Sequence, residues 1–237
     1  MAGSFLEAAM AEERSGERAG GPRPLVPDSP VQEPERYYPN KIGRLFLLSL
    51  EDVMGRNGVH ALLHMAGLRQ RVNNYPPNDL RREYSFSELS RTCQALETMY
   101  GPRGARGMEL RAGRIAFTYG LKEFGPLLGM ADLAWKVMPL GIKVKIGLNA
   151  IAQTFDRFSD QPTRVEERKG QFLYIIEKCP PCWNRRSDSP CCHIARGILE
   201  EGLRWVSGGK NFRVEEIECR AVGDPTCTFA IDREPLD

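Results

Sequence analysis

The sequence predicts an α+β fold, with a helical N-terminal half packed on a mostly antiparallel sheet that one further helix interrupts. Two observations carry this. Between residues 57 and 124 the apolar residues recur at spacings of three and four, as on one face of a helix. Beyond residue 162 the pattern changes to short runs rich in Val, Ile, Phe and Tyr, separated by turn signals. The 237 residues suffice for one large domain with a real core.

Residues 1–36 are rich in Ala, Gly, Glu, Arg and Pro, with Phe5 the one aromatic, and read as a disordered or weakly helical tail. A single domain is expected over 37–237, with order beginning near Tyr37-Tyr38-Pro39. Ile42 to Gly55 mixes a short strand with a helix start. In Asn57 to Leu68, Val59, Leu62, Leu63 and Ala66 share a helix face. His60 and His64 also share one, but with no third ligand nearby they read as surface or half-buried histidines. Tyr84 to Tyr100 is a helix capped by Ser85 or Ser87, with Phe86, Leu89, Cys93, Leu96 and Met99 inward.

GPRGARG, Gly101 to Gly107, reads as a flexible connection between helices rather than a phosphate cradle, since no strand precedes it and no Lys-Ser/Thr follows. Its surroundings are basic, and Arg103, Arg106 and Arg111 (with Arg114) are candidate contacts for an anionic group. Ala112 to Phe124 continues as helix. Leu140 to Phe158 alternates like a strand at Ile142, Val144 and Ile146, but its length and its 140, 144, 148, 151, 155 spacing favour helix.

Thr163 to Glu167 and Gln171 to Lys178 then read as strands joined by a turn at 168–170. Cys192 to Trp205 is an amphipathic helix ended by Ser207-Gly208-Gly209. Phe212 to Cys219 and Cys227 to Asp232 form a hairpin around Gly223-Asp224-Pro225-Thr226.

Composition bounds function. Hydrophobic residues make up 41% and charged residues 27%. The net charge of +2 argues against a dedicated nucleic-acid binder. No apolar run reaches the roughly 20 residues of a membrane span. The N-terminus lacks the basic start and apolar stretch of a secretory signal, so a cytoplasmic location is expected, where spaced cysteines bind metal more often than they form disulfides.

Six of the seven cysteines fall after residue 178: Cys179, Cys182, Cys191, Cys192, Cys219 and Cys227. Zinc takes about four thiolate, imidazole or carboxylate ligands in a tetrahedron. Cys179-x-x-Cys182 is one knuckle-like piece, and Glu216-x-x-Cys219-x7-Cys227 with an upstream thiol is another. A cysteine at a helix N-terminus has its thiolate favoured by the dipole, which suits Cys192. A redox pair at Cys179/Cys182 and unliganded core cysteines stay open beside the metal reading. Glu216 and Cys219 are an odd number apart, so in a regular strand they face opposite ways; Glu216 needs a bulge to serve, or else Glu215 takes its place.

At these residues the chain resembles the 4-vinyl reductase (4VR) domain family. The resemblance rests on Pro190-Cys191-Cys192, Gly197, Gly208-Gly209, Val214 to Cys219, Gly223-Asp224 and Cys227 to Phe229, within residues 163–233. It implies a small-molecule-binding module, often dimeric, with a fold similar to TRAPP vesicle-tethering subunits and haem-type nitric-oxide sensors. The family includes a protein linked to bacteriochlorophyll 4-vinyl reduction and the sensor halves of aromatic-responsive activators. In those sensors a structural zinc is held by a Cys and by Glu-x-x-Cys-x7-Cys, which carries over to Cys192, Glu216, Cys219 and Cys227. The first interval is one residue longer here, with Cys179, Cys182 and Cys191 as alternates.

The resulting expectation is a sensor or carrier for a small hydrophobic molecule, hydrocarbon, aromatic or tetrapyrrole-like, with structural zinc and no nucleotide cofactor. It is expected to be a homodimer without nucleic-acid partners. The expected pocket lining is Phe117, Tyr119, Leu127, Leu128, Trp135, Met138, Ile142, Ile146 and Phe155. No dinucleotide fingerprint or acid/base set appears, so catalysis as a 4-vinyl reductase component, like a scaffold role, stands as the alternative.

Overall fold

A computed structural model describes residues 33–125 and 138–236. The elements run β1 (Tyr37–Pro39), α1 (Asn40–Met65), β2 (Arg82–Ser85), α2 (Phe86–Phe124), α3 (Leu140–Phe158), β3 (Thr163–Arg168), β4 (Gln171–Ile176), α4 (His193–Ser207), β5 (Val214–Glu218) and β6 (Cys227–Asp232), with short 3₁₀ turns at Arg69–Arg71 and Pro180–Cys182. β3, β4, β6 and β5, in that spatial order, form an antiparallel sheet, and β1 pairs with β2 in a small ladder. This is the expected α+β arrangement. No helix among the described residues is long and apolar enough to cross a membrane.

Two helices bend where glycine permits it. α1 is kinked at Gly55 (φ 74°) and α2 at Gly101 (φ 69°). Gly101 takes a positive φ that side chains resist, and Pro102 restarts the helix with a φ already set for its first turn. The flexible connection expected at GPRGARG is therefore a single-residue kink in a long helix. Ile42 to Gly55, of mixed reading, is helix throughout. Leucines and aromatics at 46, 47, 50, 59, 62 and 63 face inward along α1, with Val59 among them.

Ser85 caps α2 in a capping box: its side chain accepts from the Glu88 N–H, and the Glu88 carboxylate accepts from the Ser85 N–H at 3.1 Å. Arg71 binds that carboxylate through Nε at 2.7 Å, so the cap is also an ion pair across the fold.

The core has two lobes. One lies between α1 and α2; the other lies between the inner face of the sheet, α3 and α4. They meet where α2 crosses α4 with almost no side chain between the backbones. A Cβ on Gly197 would stand 2.3 Å from Leu110 O, and one on Gly113 would stand 2.3 Å from Ile194 O. Neither helix backbone can give way without moving its helix. Gly197→Ala is therefore expected to destabilise the chain by about 1–3 kcal/mol, as overpacking does. Gly107→Ala, on the exposed side of α2 with nothing nearby, is expected to be neutral or stabilising by up to about 1 kcal/mol. Urea unfolding of both variants checks the pair; equal midpoints contradict the contact.

Glu109 lies fully buried on α2, and neither carboxylate oxygen has a hydrogen-bond partner among the described residues. Burial raises its pKa to about 8, against the pull of Arg185, with Glu97 adding repulsion and the Cys93 thiol beside it. The folded pKa lies above the model-peptide value, so the chain is most stable with Glu109 protonated and loses that advantage as pH rises from about 4.5 to 8. Each unit of difference is worth about 1.4 kcal/mol. Glu109→Gln is expected to flatten the fall in stability over that interval, as read by urea midpoints at pH 5 and pH 8.

Candidate functional site

The sequence around Cys179 forces thiols together from four directions. β4 ends at Ile176, and the chain turns through Cys179 and the 3₁₀ turn that holds Cys182. Cys192 is the N-cap of α4. β5 delivers Glu216 and Cys219, and β6 opens at Cys227. Antiparallel pairing aligns β6 with β4 so that Cys227 faces Ile176, at the edge where the Cys179 loop departs.

Glu216 reaches the site because the strand bulges. Glu216 pairs with Phe229 but Glu218 pairs with Thr228, so Ile217 is the extra residue and is half exposed. Residues directly opposite share a face. Glu216 therefore points inward with the buried Phe229, and the bulge lets Cys219 turn the same way. Glu215 is exposed.

The sulfurs are in contact. Cys179 Sγ lies 3.4 Å from Cys192 Sγ, and Cys182 Sγ lies 3.4 Å from Cys227 Sγ. Cys192 Sγ is 3.6 Å from Cys227 Sγ and 3.9 Å from Cys219 Sγ. A disulfide needs about 2.05 Å, so none of these pairs is bonded. A tetrahedron of Zn–S bonds near 2.3 Å has edges of roughly 3.8 Å, which these separations match. Two sets of donors fit one cation: Cys179, Cys182, Cys192 and Cys227; and Cys192, Glu216, Cys219 and Cys227. Cys191 is buried beside them but belongs to neither set, and no histidine does.

The electrostatics suit a cation. Glu216 Oε2 accepts from the Cys192 N–H at 2.9 Å, an otherwise orphaned donor of the first helical turn. Its Oε1 is buried with no partner. Burial, then the Cys219 and Cys179 sulfurs, push the Glu216 carboxyl up to about 9. The thiols of Cys182, Cys191, Cys192 and Cys227 around Cys219 hold its pKa far below the usual value, while burial raises that of Cys192. The Arg220 N–H donates to Cys227 Sγ at 3.4 Å. A buried carboxyl with an unanswered oxygen beside a thiolate is a donor set that a divalent ion completes. Sequence spacing alone missed that Cys179 and Cys182 join Cys192; only the β4–β6 register brings them there.

A cavity of about 140 Å³ lies beside this cluster, between all four helices and β4. Pro181, between the two cysteines of the 3₁₀ turn, and Ile194 and Ala195, at the start of α4, form part of its wall. Phe46, Phe117, Leu121, Ile151 and Phe155 form much of the rest. Tyr38 donates to Gln161 at its rim, while Tyr174 Oη is buried without a partner. No histidine, cysteine or methionine is among the lining residues.

Of the residues expected to line a pocket, Phe117 and Phe155 border this cavity. Ile142 and Ile146 are instead exposed, 49% and 41%, because α3 turns Val144, Gly147, Leu148 and Ala152 inward and a strand-like alternation does not survive in a helix. Tyr119 bonds to Asp52 away from the cavity, and Met138 lies just before α3, outside the lining. Leu127, Leu128 and Trp135 lie outside the described residues. Arg103, Arg106 and Arg111 are exposed along α2 and converge on no common point, and Arg114 pairs with Glu200 at 2.7 Å.

Residues 173–233 match the model of the 4VR domain family. An uncharacterized protein of Methanocaldococcus jannaschii is 30% identical over 90 residues, which is 36% of this chain and 39% of that relative. The fold is similar to the Fe(II) unliganded H-NOX protein from K. algicida, with a TM-score of 0.55 and 16% identity, over 84% of this chain and 97% of that one. It is likewise similar to the S. oneidensis H-NOX protein in the Fe(II)NO ligation state, with a TM-score of 0.53 and 13% identity, over 81% and 98%. The mixed helix and antiparallel-sheet frame is thus that of the nitric-oxide-sensor fold.

Since every described cysteine is unbonded, alkylation of the unfolded chain without reductant is expected to add seven carbamidomethyl groups. Five or fewer, by intact mass, contradicts the free-thiol geometry.

Proposed function

We propose that this chain, with its 4VR domain at 173–233, binds a small hydrophobic molecule as a sensor or carrier, and that a structural zinc at the thiol cluster holds the binding wall in place. The observation that carries the reading is the enclosed apolar cavity whose wall is built from the cluster's own loop and helix start. Its size decides the ligand class. An apolar cavity near 150 Å³ takes a benzene-sized guest. At about 140 Å³ this one suits a one-ring aromatic or short hydrocarbon and is far too small for a tetrapyrrole. The partnerless Tyr174 hydroxyl offers one polar contact inside.

Zinc at such a site has four protein ligands and no open position, so it contributes folding energy rather than catalysis. Reduced, metal-binding thiols fit a cytoplasmic setting. A homodimer belongs to the same proposal, and sedimentation velocity reads it directly.

The test is binding of toluene, phenol and naphthalene to the intact chain by calorimetry, beside the Ala195→Phe variant. Ala195 lines the cavity and is only partly buried, so the ring enters the void rather than the packed core. At least one of the three is expected to bind the parent chain, and the variant to bind it ten-fold or more weaker with an unchanged melting temperature. No binding by either, together with a stable protein partner recovered on an empty cavity, favours the scaffold reading.

A further inference from the structure

Five thiols and one carboxylate meet at the cluster, two more donors than one tetrahedral ion uses. The two donor sets are not rivals for the same space. They share two members, Cys192 and Cys227, whose sulfurs lie 3.6 Å apart. Cys179 and Cys182 stand on one side of that edge, and Cys219 and Glu216 on the other. Two tetrahedra sharing an edge is the arrangement of a dinuclear site in which two thiolates each bridge both ions.

We propose that the chain binds two divalent ions of the zinc class, one in each set, bridged by Cys192 and Cys227. This deepens the structural-zinc reading and rests on it. A single ion in the first set leaves Glu216 Oε1 buried without a partner and Cys219 unliganded. A single ion in the second leaves Cys179 and Cys182 buried and unliganded. Unsatisfied buried donors are costly, and the second ion answers them in either case.

Charge points the same way. With all donors ionised the cluster carries six formal negative charges, which two divalent ions reduce to minus two and one ion only to minus four. The described donors contain no cation to make up the difference. The N–H of Arg220 on Cys227 Sγ supports a sulfur whose charge is shared between two metals. The bridging positions belong to protein thiolates, which distinguishes the site from an iron–sulfur cluster, where inorganic sulfide bridges.

The experiment is metal counting on the full chain, purified without an affinity tag, saturated with Zn²⁺ and desalted. Native mass spectrometry and elemental analysis are expected to give two zinc ions per chain. Cys179→Ser with Cys182→Ser is expected to leave one, and Cys219→Ser with Glu216→Gln also one, whereas Cys192→Ser loses both. The parent chain exchanged into ¹¹³Cd²⁺ is expected to show two resonances coupled through the shared sulfurs, a readout that needs no variant to fold. One zinc and one cadmium resonance overturn the dinuclear site while the single structural ion stands. No bound metal overturns both.

Discussion

The C-terminal half depends on the start of α4. Cys192 is at once the helix cap, the donor to Glu216 through its backbone N–H, and the sulfur in contact with Cys179, Cys219 and Cys227. Whatever fixes that residue fixes the axis of α4. From there the constraint passes outward: Gly197 leaves no room between α4 and α2, so the long helix is set against the short one to within a fraction of an ångström. The cavity is the space left when α1 and α3 close over this pair and β4. Its dimensions are inherited from the thiol cluster through one helix and one turn.

Two buried glutamates show why the cluster differs from the rest of the core. Glu109 has no partner for either oxygen, and its environment answers by keeping the proton. Glu216 is also pushed toward the protonated form, but its neighbours are sulfurs that can share a cation with it, and one oxygen is already held by a helix N–H. A divalent charge reverses the local preference from neutral to ionised. The same residue type, buried to a similar end, is thus a proton holder in one lobe and a metal donor in the other. The difference lies in the polarisability and charge of what surrounds it, not in the depth of burial.

Much of this was legible in the chain. The Ser85–Glu88 box is local, and so are the apolar spacing of Val59, Leu62 and Leu63, the αL stop at Gly208, and the position of Cys192 at a helix start. Even the bulge at Ile217 follows from spacing: an odd interval between Glu216 and Cys219 leaves the pair usable only if one extra residue intervenes. What escaped is what long-range pairing decides. β1 and β2 are three and four residues long, too short for a periodic signal, and exist only because each finds the other. Cys179 and Cys182 enter the cluster through the β4–β6 register. The kink at Gly101 hides in a stretch whose composition reads as loop, because Gly-Pro marks an irregularity without saying how long it is.

The ligand question turns on side chains rather than on the frame. Identity of 13% and 16% to H-NOX proteins carries topology and nothing of what lies inside it. Here the interior is largely filled: Phe46, Phe117 and Phe155 enter from three helices, and the α2–α4 glycine contact draws the walls together. The space that survives is apolar, small and without a histidine, cysteine or methionine to hold a metal within it. Metal-binding groups and ligand-accepting space have thus been separated onto the two sides of one wall, the Pro181 turn and the Ile194–Ala195 start of α4. A wall with metal ligands on one face is stiff, and a stiff wall is what gives a cavity of this size selectivity, since a guest larger by one ring cannot be met by local give.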